Sequence, residues 1–579
     1  MFKWLICSDP EVSGRTALLY LAELCLIYII VAGTLSYFAP DGYWINHVFG
    51  IKIGVDVDPG GPYFISSINF LEHKFILNGG HPGIPLQYWS HGVLFFYNLF
   101  CNHAKDSQDF TFFVLKHIAT SLFLVKLSIT VLHAISFFLL FFFARKLVGN
   151  DRVAFLAVLG YATSYLVLYY LSKISVEPQM VSCFMLTWLL LWKYEDSLKT
   201  GDNVRAYLYA AAAGVISLTG VFVKLNLMAI FPLYCLVFLI WGPRQTDGEK
   251  SYPGLKHKVT AALLFTAAAV GVFFFWNQHI DWQKYFRFWF YFAPGEVKYD
   301  SGQSVLLNLK TALASIPPVA FSIVKNFLLR CFWYLRLVNR GGVFFICEWL
   351  YLLLGLWGLI LFFKLNPTGR RNFLWVGVFL ITNLMASSYH LQYNYFYNLY
   401  VFMAPYFAWI LSYFVQRFVS VSERHRFLLM ACLILLIHHV AIWACLNSRV
   451  TDIGLYRRNI RPYFLTLSRM NPGERAVVLT ASPKDAEIDK ELEKKYTVSY
   501  RFVDESAKAV QLLQSDLFIQ ISRERLLESA DSAMSIIDSL RSVGVKYVVD
   551  DCGNLDAAGE TITKGPFGLK EWADEFMSK

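Results

Sequence analysis

Two carboxylates one residue apart, Asp56 and Asp58, stand directly before a stiff run, Pro59-Gly60-Gly61-Pro62-Tyr63, and further on the chain reads His81-Pro82-Gly83-Ile84-Pro85. An Asp-x-Asp-Pro arrangement offers two kinds of chemistry. A partly desolvated carboxylate has its pKa raised toward the range in which it takes a proton from a hydroxyl or an amine. Two carboxylates together can also hold a divalent cation such as Mg or Mn through oxygen ligands. The same residues also suit a plain turn, since Asp-Pro and Pro-Gly-Gly bend a chain without doing chemistry.

What must position these residues is a membrane. The chain has 579 residues, 56% hydrophobic, 17% aromatic and only 16% charged, with a mean hydropathy of +0.44. A soluble protein of this length would need far more polar surface. Stretches long enough to cross a bilayer as helix recur at 16–39, 121–144, 153–171, 179–192, 206–223, 227–241, 260–276, 343–363, 373–387, 398–415 and 427–446. That is about eleven spans. The first is too long for a signal-peptide core and has no small-residue cleavage site after it, so it reads as a retained helix.

Loop charge gives the orientation. One set of connections carries Lys3, Arg15, Arg145, Lys146, Arg152, Lys193, Lys199, Arg205, Arg244, Lys250, Lys256, Lys258, Lys364, Arg370, Arg371, Arg417, Arg424 and Arg426. The short loops opposite hold only Lys173 and Lys224. By the positive-inside rule the basic side is cytoplasmic, which puts the N-terminus inside and the C-terminus outside. The net charge of +10 is then mostly a topology signal, and no nucleic-acid partner is needed to explain it.

Two long outer loops follow from this topology. Residues 40–110 carry the acidic run, with apolar-aromatic stretches at 63–76 and 86–100 expected to lie along the interface. Residues 277–342 mix aromatics with Lys284, Arg287, Lys325, Arg330, Arg336 and Arg340, the makeup of a surface among lipid headgroups. Beyond the membrane part, 1–446, hydropathy falls to soluble values. Strand signals at 476–480, 496–502, 517–521 and 545–550 alternate with helical ones at 507–513 and 529–543. Such alternation suggests a C-terminal extracytoplasmic α/β domain over 447–579. It has no GxGxxG or P-loop, so no nucleotide is assigned to it. The ten cysteines are scattered, without CxxC or metal-type spacing.

Other outer-side residues have two readings each. Glu177 could pair with Lys173 four residues earlier, or stand beside the acidic loop as a second carboxylate. His390 and Gln392 lie in a Tyr- and Asn-rich run, 387–398, which could bind a sugar by stacking and directed hydrogen bonds or simply be interfacial tyrosine. His438 and His439, and with them Lys126 and His133, read as helix-packing residues inside spans.

A first outer loop with an acidic motif, a nearby Tyr63, an interfacial helix and then His81-Pro82-Gly83-Ile84-Pro85 resembles the GT-C glycosyltransferases, of the protein O-mannosyltransferase and lipid A aminoarabinose transferase type. The resemblance extends over the whole architecture, but its sharp content is confined to 55–63 and 80–86. The family pattern is Asp-Glu followed by Tyr, then His-Pro-Pro; here Asp58-Pro59 stands for Asp-Glu, and Pro-Gly-Ile-Pro follows His81. The resemblance implies an enzyme that moves a hexose or pentose from a polyprenyl-phosphate donor to a lipid, glycan or protein acceptor, with inversion, outside a bacterial inner membrane. Asp58 is the implied general base, because Tyr63 then falls near the family spacing; Asp56 is second. Lys173, Lys284, Arg287, Arg336 and Arg340 are the implied cations for the donor phosphate. Tyr63, Glu177, His390 and Gln392 are further candidate binding residues, and His81 could bond the donor phosphate, orient the loop or cap a helix, its neighbouring prolines fixing the backbone.

Two other classes fit the same composition. A transporter or flippase of lipid-linked sugars would also need many spans, although internal repeats and charged mid-membrane helices usually mark one. A non-catalytic envelope assembly protein would use the tail to bind a partner.

Overall fold

The computed structural model describes residues 14–38, 63–64, 67–68, 83–101, 107–164, 167, 174–224, 227, 231–240, 255–277, 307, 346–366, 376–378, 397–418, 469–471, 474–480, 518–522, 530–550 and 567–568. Helix α1 (Gly14–Phe38) buries Ala17, Leu21, Cys25, Tyr28, Ala32 and Ser36, one stripe at helical spacing, and leaves Leu19, Leu26, Ile27 and Ile30 exposed. Exposed branched aliphatics opposite a packed stripe are what a lipid-facing helix requires.

After α1 come α2 (Ile84–Cys101), α3 (Ser107–Lys116), α4 (Ile118–Val148), α5 (Asp151–Ala162), α6 (Glu177–Lys199) and α7 (Asn203–Val223). Then follow α8 (Phe231–Ile240), α9 (Leu255–Asn277), α10 (Ile346–Leu365) and α11 (Tyr397–Phe418). Helix α4 is the hub: it packs on α1, α2, α3, α5, α6 and α11. A second group forms around α7, which packs on α6, α9, α2 and α8. A side chain at Gly214 of α7 would run into the backbone carbonyl of Phe265 on α9, so only glycine permits that approach. Ala210, Ala213 and Ser217 beside it, with Ala261 and Ala269 opposite, are buried. Small residues let membrane helices meet backbone to backbone.

Among the described residues, four helices are long and apolar enough to cross a membrane: Thr16–Thr34, Thr120–Val148, Asn203–Val223 and Leu255–Trp276. Shorter apolar helices lie at Leu353–Leu365 and Val401–Val415. The span expected at 153–171 differs, because α5 ends at Ala162. Thr163 closes it by donating its hydroxyl to the Leu159 carbonyl at 2.7 Å, and the Ser164 N–H turns back to Tyr161 O. A hydroxyl that bonds the preceding turn satisfies a carbonyl left open at a helix end. The span expected at 427–446, the strand at 496–502 and the helix at 507–513 lie outside the described residues.

Charges gather at one end of the bundle. Arg145 pairs with Asp151 at 2.7 Å, Lys146 with Asp196 at 2.8 Å, and Arg205 with Asp202 at 3.2 Å. The basic residues that set the orientation argument are therefore partly matched by acids on neighbouring helix ends. Within the bundle, Lys126 and His133 are both buried on α4, and His133 Nδ1 shares a 2.6 Å hydrogen bond with the Tyr28 hydroxyl.

The tail contains a sheet. Strands β1 (Arg475–Thr480), β2 (Phe518–Ser522), β3 (Val545–Asp550) and β4 (Phe567–Gly568) are ordered β2-β1-β3-β4, with β1 parallel to both β2 and β3 and β4 antiparallel. Helix α12 (Ala530–Ser542) lies between β2 and β3 in the chain and turns Ile537 and Leu540 inward. Strands that run parallel in one sheet, as β2 and β3 do on either side of β1, need such a crossover.

Candidate functional site

The site is assembled from a turn of the first long loop, the head of α2, and the open end of the α6–α7 hairpin. Tyr63, Phe64, Ser67 and Ile68 are helical and buried. Ser67 donates its hydroxyl to the Tyr63 carbonyl at 2.7 Å, and its own carbonyl accepts from His91 Nδ1 at 2.8 Å. The loop turn is thereby tied to α2. Gly83 has φ +43°, and the Tyr63 ring lies where its Cβ would be. A left-handed φ together with that ring leaves room for glycine alone. The residue that follows His81-Pro82 is thus clasped by the tyrosine that follows the aspartates.

From there the contact passes to the hairpin. The Gly83 N–H donates to the Val223 carbonyl at 3.3 Å. The next residue, Lys224, leaves α7 in extended conformation, and its ammonium pairs with the Glu177 carboxylate at the first position of α6. Both side chains are almost fully buried, 5% and 3% exposed. Two desolvated charges are tolerated only because each is the other's counter-ion. Pro178 suits the first turn of α6, where an N–H has no helical partner. At the same end of the bundle, Tyr88 of α2 meets Trp276 of α9 edge-on at 4.9 Å.

Of the residues singled out in the sequence, Tyr63 and Glu177 belong to this assembly. Asp56, Asp58, His81, Lys173, Lys284, Arg287, Arg336, Arg340, His390 and Gln392 lie outside the described residues. The Glu177 Oε1 oxygen accepts from Lys224, and Lys173, the other partner expected for Glu177, lies outside the described residues. Sequence reasoning had Lys224 only as a loop charge. The signal was available, since Glu177 and Lys224 are nearly equidistant from Gly201 at the tip of the α6–α7 hairpin, which brings them level. The tie between His91 and Ser67 had no signal, because it depends on the path of the loop.

Among the described residues no group of three His, Cys, Asp or Glu side chains could hold a metal. The carboxylate described beside the loop, Glu177, is engaged by an ammonium. Asp56 and Asp58, the residues expected to hold any divalent cation, lie outside the described residues.

No family model matches the chain, and no curated protein does. Among solved structures the chain is similar to the oligosaccharyltransferase of Archaeoglobus fulgidus, crystallised in complex with Zn and sulfate, at 14% identity and a TM-score of 0.37. The match covers 90% of this chain and 67% of that one. At these values the likeness adds nothing to the assignment of the site.

Proposed function

We propose that the protein is an integral-membrane glycosyltransferase that moves a sugar from a polyprenyl-phosphate donor to an acceptor on the extracytoplasmic side. The sequence resemblance supplies the class. The observation that carries the reading is local: Tyr63, just after the aspartates, sits on Gly83, just after His81, and this pair docks beside the buried Glu177–Lys224 pair. One residue from each sharp sequence signature, Tyr63 and Gly83, thus meets the other beside the Glu177–Lys224 pair.

In the proposed reaction Asp58, with Asp56 as the second candidate, removes the proton of an acceptor hydroxyl or amine. The acceptor attacks the anomeric carbon, the bond to the phosphate oxygen breaks, and the configuration inverts. Polyprenyl phosphate is a good leaving group, so alignment and charge balance are the main requirements. Lys173, Lys284, Arg287, Arg336 and Arg340 are the candidates for balancing that charge. His81, His390 and Gln392 are proposed to contact the donor. Residues 447–579 are proposed as an extracytoplasmic α/β domain.

The test is donor turnover by purified protein in nanodiscs, offered a panel of polyprenyl-phosphate sugars. Wild type should release polyprenyl phosphate from one of them. Asp58→Asn should lose about two to four orders of magnitude, the usual worth of a positioned base, with donor binding retained. Equal turnover in wild type, Asp58→Asn and Asp56→Asn would remove the aspartates from the chemistry. Binding without turnover of any donor would favour a transporter or an assembly protein.

A further inference from the structure

The turn that follows the aspartates is attached to α2 at two separate points. Tyr63 sits on Gly83, directly before the helix begins. Four residues later the Ser67 carbonyl accepts a 2.8 Å hydrogen bond from His91 Nδ1 within the helix. Gly83 and His91 are eight residues apart in the chain, which is roughly 12 Å along a helix. A segment held at one point can pivot about it, whereas two points this far apart fix its direction. The Ser67 hydroxyl, bonded to the Tyr63 carbonyl at 2.7 Å, braces the turn between them. Ser67 is fully buried, so its carbonyl needs a protein donor in place of water.

The imidazole is itself held for this task. Its ring meets the buried Phe110 of α3 edge-on at 5.5 Å. A carbonyl only accepts, so Nδ1 carries the proton. Burial pushes the His91 pKa below its ordinary 6.5, and the bond to Ser67 opposes that only in part. At pH 7 the ring is therefore neutral, with its one N–H committed to Ser67.

We propose that His91 is a positioning residue for the sugar transfer: by fixing the turn at Ser67, it aims the chain that runs back from Tyr63 to Asp58. This rests on the glycosyltransferase reading and adds a residue to it. Asp58 is five residues before Tyr63 in the chain, so a pivot of the turn about Gly83 displaces the base. A displacement of about 1 Å is enough to cost on the order of a hundredfold in rate. The loss falls on turnover, since a displaced base slows proton removal without loosening the hold on the donor.

The full chain in nanodiscs is compared as wild type, His91→Phe and His91→Asn. Phenylalanine keeps a ring against Phe110 and loses the donor; asparagine loses the ring and keeps an N–H where Nδ1 stands. Three quantities are read: hydrogen exchange of the backbone amides over 63–68, donor Kd, and turnover of the polyprenyl-phosphate sugar that wild type uses. In His91→Phe, exchange over 63–68 should quicken about tenfold, the worth of one hydrogen bond. Its turnover should fall about ten- to a hundredfold with donor Kd unchanged, and His91→Asn should recover most of both. Asparagine as impaired as phenylalanine would mean that the ring matters and the bond does not, which overturns the proposal. Unchanged exchange in His91→Phe would overturn it too, as would faster exchange with turnover intact, which leaves His91 a tie of the fold alone. If wild type turns over no donor, the glycosyltransferase reading fails and takes the positioning role with it. The exchange comparison needs no donor, and so keeps the two failures apart.

Discussion

Glu177 and Lys224 show how one residue pair can be read through energetics. A buried ion pair is poor evidence for stability, because its desolvation cost rivals its attraction, while removing one partner leaves the other charged and alone. Glu177→Leu or Lys224→Met singly should therefore destabilise by about 3–5 kcal/mol, whereas the double variant Glu177→Leu/Lys224→Met should regain most of that. Melting of the four proteins in nanodiscs checks the cycle. If the pair serves catalysis, the recovered double variant should still fail to turn over donor. Recovery of both stability and turnover would leave the pair a packing device. Lys224→Arg is a separate case, since the broader guanidinium cannot occupy an ammonium's buried place without moving its neighbours.

At the scale of elements, glycines mark where the chain is forced together. Gly83→Ala would demand a left-handed backbone from an L-residue, at about 1–2 kcal/mol, and would also strike the Tyr63 ring. The expected result is a lower melting temperature with a larger loss of turnover, because the loop that carries the aspartates shifts. Adding Tyr63→Ala should restore part of the stability by removing the clash but not the backbone strain, and should not restore turnover. A combined protein as stable and active as wild type would refute the clasp. Gly214→Val, by contrast, wedges α7 from α9 far from the loop turn and should cost about 1–3 kcal/mol by overpacking. Its stability loss, read by melting, should exceed its effect on donor affinity.

For the molecule as a whole, charge organises both ends of the argument. In the tail, partial burial pushes the Glu474 carboxyl upward, but hydrogen bonds from the Lys546 ammonium and from the backbone and side chain of Asn471 outweigh it and hold it at about 2. A carboxylate held below its ordinary 4.5 contributes stability that is complete above that value and is lost as pH falls toward 2. Sheet melting followed by circular dichroism should therefore weaken over that interval in wild type, and Glu474→Gln should flatten the dependence; identical profiles would argue that the pair with Lys546 is not kept in solution. Orientation is open to a direct check. Cysteine introduced at Ser251 should be labelled by an impermeant reagent only from the side expected to be cytoplasmic, and cysteine at Asp106 only from the other.

The sequence by itself was enough for what depends on composition and period. Bilayer-length apolar runs required helices, and α1, α4, α7 and α9 lie where those runs predicted, while β1 and β3 coincide with β-branched stretches near the C-terminal end. Hydrophobic length and alternation are local properties, and local properties are written in order along the chain. The family-like residues around Asp58 and His81 were legible for the same reason. Contacts between distant segments were not. That Tyr63 would cover Gly83, that Ser67 would be tied to His91, and that Glu177 would choose Lys224 depends on where two helix ends and one loop turn arrive in space. Many partners lie within reach of a charged side chain in an unfolded chain, and packing decides which of them it meets.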